Sequence, residues 1–414
     1  MNYHLFLFCV FFAYIQTEAF TLTSLTQTRS NGILHATEKD IISDHSSEVK
    51  SKRRAKSAKW IACCSTKDVT RAIEMYIEEG DQVAELGSQL RESSTAICER
   101  VGPDGYAHLV DIERKFPNEK KGLQRTSAMR RLDDEKDFYS DRSTFTEMKN
   151  FDLWREALFL KNIGETRRQY DALVVDVSIV VGNDLELTCI SLIKEFLALN
   201  ESSDNDENKC KVVIAKSGSL HDLARRLFHA QRLFDGHESI DYSFLRGSTA
   251  IIGTVGVEEY RRAIPFAVRP NDVCIEVGAH MGVTTNLIHR ATLGSDVSEE
   301  SGCIGIDIGP RIVKAARKKF PDVIFEVGDA WKVGELMRQR HKHFRNNTNN
   351  SIYDAVFVDV GGLSGENGLL EAISLISSIS NSLEPRCIVI KSLCIRRLAS
   401  NLVPFYDVWK KKHN

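Results

Sequence analysis

The chain repeats itself, and the repeat limits the folds open to it. Thr70 to Gly87 (TRAIEMYIEEGDQVAELG) aligns without a gap to Arg261 to Gly278 (RRAIPFAVRPNDVCIEVG). Further on, Tyr170 to Val177 (YDALVVDV) matches Tyr353 to Val360 (YDAVFVDV), and Val212 to Ser217 (VVIAKS) matches Cys387 to Ser392 (CIVIKS). Three blocks in one order read as two copies of one domain. Within each copy, short apolar runs of β-favouring residues alternate with helix-period segments, the pattern of βαβ units and a mostly parallel sheet flanked by helices. The strands expected in the first copy are Gln82 to Leu86, Ala107 to Val110, Ala172 to Val175 and Lys211 to Ala215. Their partners are Val273 to Val277, Cys303 to Ile306, Ala355 to Val358 and Cys387 to Ile390.

The copies are expected over 61–235 and 249–414, joined by a polar linker over 236–248 that carries two glycines. Phe116 to Phe145 and Asn200 to Lys209 are insertions in the first copy. Gly294 to Gly302 and Asn346 to Ser351 are insertions in the second, and all four fall between elements, where loops absorb length changes. Only a short segment follows Lys391, and no clear run in it supplies further strands.

Lys plus Arg is 55 and Asp plus Glu is 57 in 414 residues, so bulk charge names no partner. Ten cysteines lie mostly inside apolar runs with no CxxC pair and no metal-type histidine spacing, so no metal site is expected. Repeated unpaired thiols suit a reducing compartment and argue against a disulfide scaffold. Leu5 to Ile15 (LFLFCVFFAYI) is too short to span a bilayer, which takes about 20 residues, and has the length of a signal-peptide core. No other stretch reads as a membrane helix. Thr17-Glu18-Ala19-Phe20 follows, then a Ser/Thr-rich stretch without an acid until Glu38 and a basic run from Lys50 to Lys59. This arrangement resembles the bipartite plastid presequence of diatoms and related algae, with a signal peptide over 1–19 and a transit peptide and basic linker over 20–60. The resemblance implies delivery to the plastid stroma; a plain secretory signal is the alternative.

In the second copy, Glu276-Val277-Gly278-Ala279-His280-Met281-Gly282 sits where a buried strand turns into a helix. Glycines let the backbone turn tightly there, and a helix start offers free N–H donors. An acid ends the next strand at Asp307, placed to accept from a ribose diol. Gly328-Asp329-Ala330-Trp331 adds a carboxylate for an adenine amino group and an aromatic ring to stack, and Asp359 ends a further strand.

This ordered series of acid-Gly, acid, Gly-Asp and Asp resembles the class I S-adenosylmethionine-dependent methyltransferases, twice over residues 65 to 414. The resemblance implies two tandem Rossmann-like domains and S-adenosyl-L-methionine as cofactor. By analogy Glu276 meets the methionine amino end, Gly278 and Gly282 form the cofactor loop, Asp307 holds the ribose, and Asp329 and Trp331 the adenine. The first copy keeps Glu85, Gly87, Asp111, Asp152 and Asp176, but Arg91 stands at the position of Gly282. It therefore reads as the degenerate half, paired with the second as an internal pseudodimer, unless Arg91 serves a substrate site. A dinucleotide-binding oxidoreductase expects Gly-x-Gly-x-x-Gly, which neither copy has.

Asp359 and Lys391 end neighbouring strands, an arrangement similar to the Asp and second Lys of FtsJ-like ribose 2′-O-methyltransferases. That similarity makes the pair the candidate catalytic residues. It is repeated as Asp176 and Lys216. The first Lys of that family's tetrad falls near Arg261 or Arg262. The Gly361 to Gly365 loop reads as flexible and lies where family members contact the acceptor. With the basic segments Arg311 to Lys319 and Arg338 to Arg345, the pair points to RNA as acceptor. A non-catalytic pseudo-methyltransferase acting as a binding or assembly scaffold is the reading from another class.

Overall fold

The computed structural model describes residues 57–87, 92–112, 143–148, 160–161, 164, 168–180, 183–201, 210–245, 247–293, 301–344, 352–365 and 368–405. Residues 1–56, which hold the expected signal peptide and most of the expected transit peptide, lie outside the described residues, as do Arg91, Asp152 and the side chain of Asp111.

The first half contributes β1 (Lys59–Cys63), α1 (Thr66–Tyr76), β2 (Gln82–Leu86), α2 (Glu92–Val101), β3 (Tyr106–Ile112), β4 (Ser143–Met148) and β5 (Ala172–Asp176). It continues with α3 (Val177–Val180), α4 (Glu186–Glu201), β6 (Val212–Lys216), α5 (Gly218–Arg226), β7 (Leu227–His229) and α6 (Ala230–Phe234). The second half holds β8 (Ala250–Thr254), α7 (Gly256–Arg262), α8 (Ile264–Ala267), β9 (Val273–Val277), α9 (Val283–Thr292), β10 (Gly302–Asp307), α10 (Pro310–Lys319) and β11 (Ile324–Val327). It ends with α11 (Val333–His343), β12 (Ala355–Val358), α12 (Gly368–Leu383), β13 (Cys387–Lys391), α13 (Leu393–Asn401) and β14 (Leu402–Pro404).

Among the described residues these strands form two seven-stranded sheets, ordered β14-β1-β6-β5-β2-β3-β4 and β7-β8-β13-β12-β9-β10-β11. Every pairing is parallel. Strand for strand, the two orders correspond, and the fold is α/β with two Rossmann-like sheets. The central strands are buried along their length (β9 and β12 show no exposed position), as parallel strands covered on both faces must be.

The outermost positions are exchanged. β7 follows the first half in sequence but pairs with β8 in the second sheet, with Leu227 opposite Ile251. β14 follows the second half but pairs with β1 in the first, with Trp60 opposite Leu402. The strands missing beyond β13 are thus supplied by β8, from before it, and by β7, from the other half. His229 of β7 is fastened there by Arg396 of α13, whose guanidinium also holds Glu259 at 2.9 Å. β1 starts at Lys59, so residues 59 and 60, grouped with the basic linker on composition, belong to the first sheet. The reason is Trp60, an aromatic with strand propensity that is only 6% exposed.

One apolar core joins the halves. Val356 and Ile388 from the second sheet, Leu173 and Val213 from the first, and Ile193 of α4 with Ile376 of α12 belong to a single buried cluster. Ser377 of α12 donates to Glu186 of α4 at 2.9 Å beside it. Alternation does the sorting: Val273, Ile275 and Val277 face this core, while Cys274 joins a second cluster with Tyr260 and Phe357 on the opposite face.

Candidate cofactor site

Strand β9 is buried up to Val277 and then turns sharply into α9. The turn needs left-handed backbone at Gly278 (φ 82°), His280 (φ 46°) and Gly282 (φ 77°). At Gly278 the requirement is also steric, because a Cβ there would sit 2.0 Å from the Asp359 carbonyl oxygen. At Gly282 a Cβ would sit 2.4 Å from the Phe325 ring. The N–H groups of Gly278 and Ala279 both donate to the Ile306 carbonyl, at 2.8 and 2.9 Å. Gly282 caps α9 without a side chain, so the first N–H groups of a ten-residue helix face the turn.

Asp307 ends β10 and pins this turn. Its Oδ2 accepts from the His280 N–H at 2.9 Å and its Oδ1 from the Gly309 N–H at 2.8 Å. A carboxylate offers about four lone-pair sites, so two donors leave it capacity for a ligand hydroxyl. Asp329, beyond β11, accepts from the Trp331 N–H at 3.0 Å, and Gly328 donates to the Asp307 carbonyl at 3.1 Å. Around these carboxylates three large apolar side chains are exposed: Ile308 at 73%, Val327 at 45% and Trp331 at 46%. These three leave apolar surface open to solvent at and beyond the ends of β10 and β11.

Glu276 lies beneath the turn rather than in it. Its side chain is buried, and Thr285 of α9 donates to its Oε2 at 2.5 Å. Burial pushes the Glu276 carboxyl up to about 8, with the negative charge of Asp359 adding to the rise and Thr285 and Arg261 opposing it. The fully buried Tyr260 hydroxyl faces Glu276, and burial together with the negative charges of Glu276 and Asp359 pushes it well up. The fold therefore buries Glu276 as a neutral acid at pH 7. Its contribution to stability is fully present at and below the ordinary value of 4.5 and is lost as pH rises toward about 8. The melting temperature is expected to fall between these limits, and Glu276→Gln to flatten that fall. A melting temperature equally steep in the variant, measured by calorimetry across pH, would contradict this.

Asp359 and Lys391 do meet, through an ion pair between Oδ1 and Nζ, each side chain about one-quarter exposed. The first half holds the same pair at the same places, Lys216 Nζ to Asp176 Oδ2 at 2.6 Å. Arg261 turns toward the site, its Nε donating to Thr284 Oγ1 at 3.1 Å, whereas Arg262 stacks on Phe234 at 4.3 Å. The Gly361 to Gly365 loop differs from its expected looseness. Leu363 is 1% exposed, its carbonyl accepts from Ser392 Oγ at 2.5 Å, and Ser364 Oγ accepts from the Leu393 N–H at 3.2 Å. A buried apolar side chain and two ties to the start of α13 outweigh the glycine content.

Gly278, Gly282, Asp307, Asp329, Trp331, Asp359 and Lys391 thus lie along one carboxyl edge, from β11 to β13, with Glu276 buried beneath it in β9. Sequence reasoning missed Thr285, Tyr260, Ile308 and Val327. Thr285 had one available signal, because Ser94 at the matching position of the first half donates to Glu85 at 2.5 Å in the same way. Of the basic segments, Arg311 to Lys319 is α10, with its cations at the surface. In the other, Arg340 is buried and donates to backbone carbonyls, while Lys342 and His343 share Glu326 with Arg317. Among the described residues no group of His, Cys, Asp and Glu could hold a metal ion, and no helix is long and apolar enough to cross a membrane.

No family model matches the chain, and no curated protein matches it. Among solved structures it is similar to a TehB-like SAM-dependent methyltransferase from Corynebacterium glutamicum, at 16% identity and a TM-score of 0.22. That match covers 32% of this chain and 60% of the other, less than two thirds of its length. The α/β assignment stands on the strand orders of the chain itself.

Proposed function

We propose that the second half binds S-adenosyl-L-methionine and that the protein transfers its methyl group to RNA. The observation that carries this reading is the join of the pinned Gly278 turn to two carboxylates, Asp307 and Asp329, ringed by exposed Ile308, Val327 and Trp331. An adenosine has the matching chemistry: a diol for a strand-end carboxylate, an amino group for a second, and two apolar faces. Bound there, the cofactor supplies a methyl already activated by its sulfonium. Asp307 then orients the ribose while keeping the turn in place, and the α9 N-terminus and Arg261 face the charged end. Asp359 holds Lys391 by their ion pair, so Lys391 presents N–H donors to an acceptor hydroxyl and Asp359 a carboxylate for its proton. Alignment contributes most of the rate, since a positioned nucleophile needs little covalent help.

The test is incubation with methyl-labelled cofactor and plastid RNA. Label is expected in RNA, and Lys391→Met is expected to cut the rate about 100-fold with cofactor affinity unchanged. A scaffold without turnover is favoured by one observation, that Asp176 and Lys216 repeat the pair in a half with a different loop. Cofactor binding with no labelled product of any kind would establish that second reading.

The matching strand orders and reciprocal strand exchange support two further proposals: that the halves arose by duplication, and that they pair as an internal pseudodimer. Delivery to the plastid rests on the first 60 residues. A fluorescent protein fused behind them is expected in plastids of a diatom, and its appearance in the medium would contradict that.

A further inference from the structure

The polar stretch between the halves carries exposed rings. Asp241 fixes it as a turn: its Oδ1 accepts from the Ser243 hydroxyl at 2.5 Å and from the N–H groups of Ser243 and Phe244 at 3.0 and 3.2 Å. Tyr242 Oη then donates to the Phe266 carbonyl of α8 at 3.0 Å, and Phe266 packs on Phe234 of α6 with 5.7 Å between centroids. A guanidinium lies over three of these four rings: Arg225 on Phe244 at 4.5 Å, Arg262 on Phe234 at 4.3 Å and Arg269 on Tyr242 at 5.0 Å. Phe244 is 49% exposed and Phe266 38%. Arg262 and Arg269 are exposed as well, and neither guanidinium forms an ion pair with a carboxylate among the described residues. From Ser217 to Val313 the chain has nine arginines and no lysine. Solubility and positive charge are served by either residue, whereas only the planar guanidinium stacks on a ring while its edge keeps N–H donors free.

We propose that this surface binds single-stranded RNA, bases stacking on Phe244 and Phe266 and phosphates meeting Arg262 and Arg269. Unstacked bases supply the flat faces that exposed rings take up, and a duplex keeps those faces inside. Rings and cations alternate across the surface as bases and phosphates alternate along a strand; an acidic peptide engages the cations and leaves the rings in water. The Asp241 turn holds Phe244 in place before the strand arrives, which lowers the ordering cost of binding. Arg386, one residue before β13, also lies over the Tyr242 ring, at 5.6 Å, so the surface is at the amino edge of the second sheet, while Lys391 ends β13 at the opposite edge. The proposal extends the RNA reading to a second place on the chain. It shares no residue with the cofactor turn or with Lys391, so binding here and methyl transfer can fail separately.

The test is fluorescence anisotropy of a labelled oligouridylate of about twelve nucleotides, titrated with the full chain in the absence of cofactor. Micromolar binding is expected, and the same strand paired with oligoadenylate is expected to bind at least about tenfold more weakly. Phe244→Ala and Phe266→Ala are each expected to weaken the single strand about tenfold, the scale of one lost base–aromatic stack. Arg262→Gln is expected to reduce the slope of log affinity against log salt by about 0.7, one phosphate contact. Both rings are exposed, so melting curves are expected to show folded variants, and Phe244→Ala, the more exposed position, decides if Phe266→Ala does not fold. No binding to the unmutated protein, or full affinity in folded Phe244→Ala, would overturn the proposal. So would displacement of the RNA by polyglutamate of equal charge, which points to an acidic protein partner instead. RNA binding without methylation leaves this proposal standing and counts against methyl transfer alone.

Discussion

Replacing Gly278 with alanine is expected to destabilise the protein by about 3–5 kcal/mol, the sum of a left-handed backbone and an overlap that cannot relax. The new methyl meets the Asp359 carbonyl at 2.0 Å, and that carbonyl belongs to the strand end beside β9 rather than to a flexible side chain. Moving it also disturbs the Asp359 N–H bond to Val277 at 2.9 Å and the neighbouring ion pair with Lys391. A drop of roughly 6–10 °C in melting temperature is the expected reading for a domain of this size. Gly334→Ala, where no atom lies within 4 Å of the added carbon, serves as the control and is expected to change little. A Gly278→Ala protein as stable as the control would contradict the packing described for the turn.

Asp307→Ala is expected to weaken S-adenosylmethionine by about 100-fold or more, because two losses coincide. The ribose loses a charge-assisted partner, and the backbone N–H groups of His280 and Gly309 lose the acceptor that fixes the turn, at 1.5–3 kcal/mol for each such bond as an approximate scale. Asp307→Asn keeps an acceptor for one N–H and is expected to fall between alanine and the native residue. Quenching of Trp331 fluorescence by the cofactor gives the affinity, since that indole is 46% exposed beside the same carboxylates. Full affinity in Asp307→Ala would remove the residue from the site.

The sheet interiors were legible because their residues are mostly apolar and recur in both copies: β2, β9 and β12 have the expected bounds. The exchange was not. β7 and β14 have three residues each, Leu-Phe-His and Leu-Val-Pro, too few for a period, and their partners lie in the opposite half of the chain. The site was legible where chemistry requires a residue type, as at Gly278 and Asp307. It was hidden where geometry alone decides, as with Ile308, whose side chain is apolar yet 73% exposed.

Calorimetric titration of S-adenosylmethionine and of its demethylated product into the unmutated chain, with Asp111→Ala as a variant of the first half, bears on the cofactor assignment without waiting for an acceptor. One site of micromolar affinity for both compounds, retained in Asp111→Ala and lost in Asp307→Ala, is the predicted result. Absence of binding to the unmutated protein, or binding lost in Asp111→Ala instead, would contradict the placement of the cofactor at the carboxyl edge of β9 and β10.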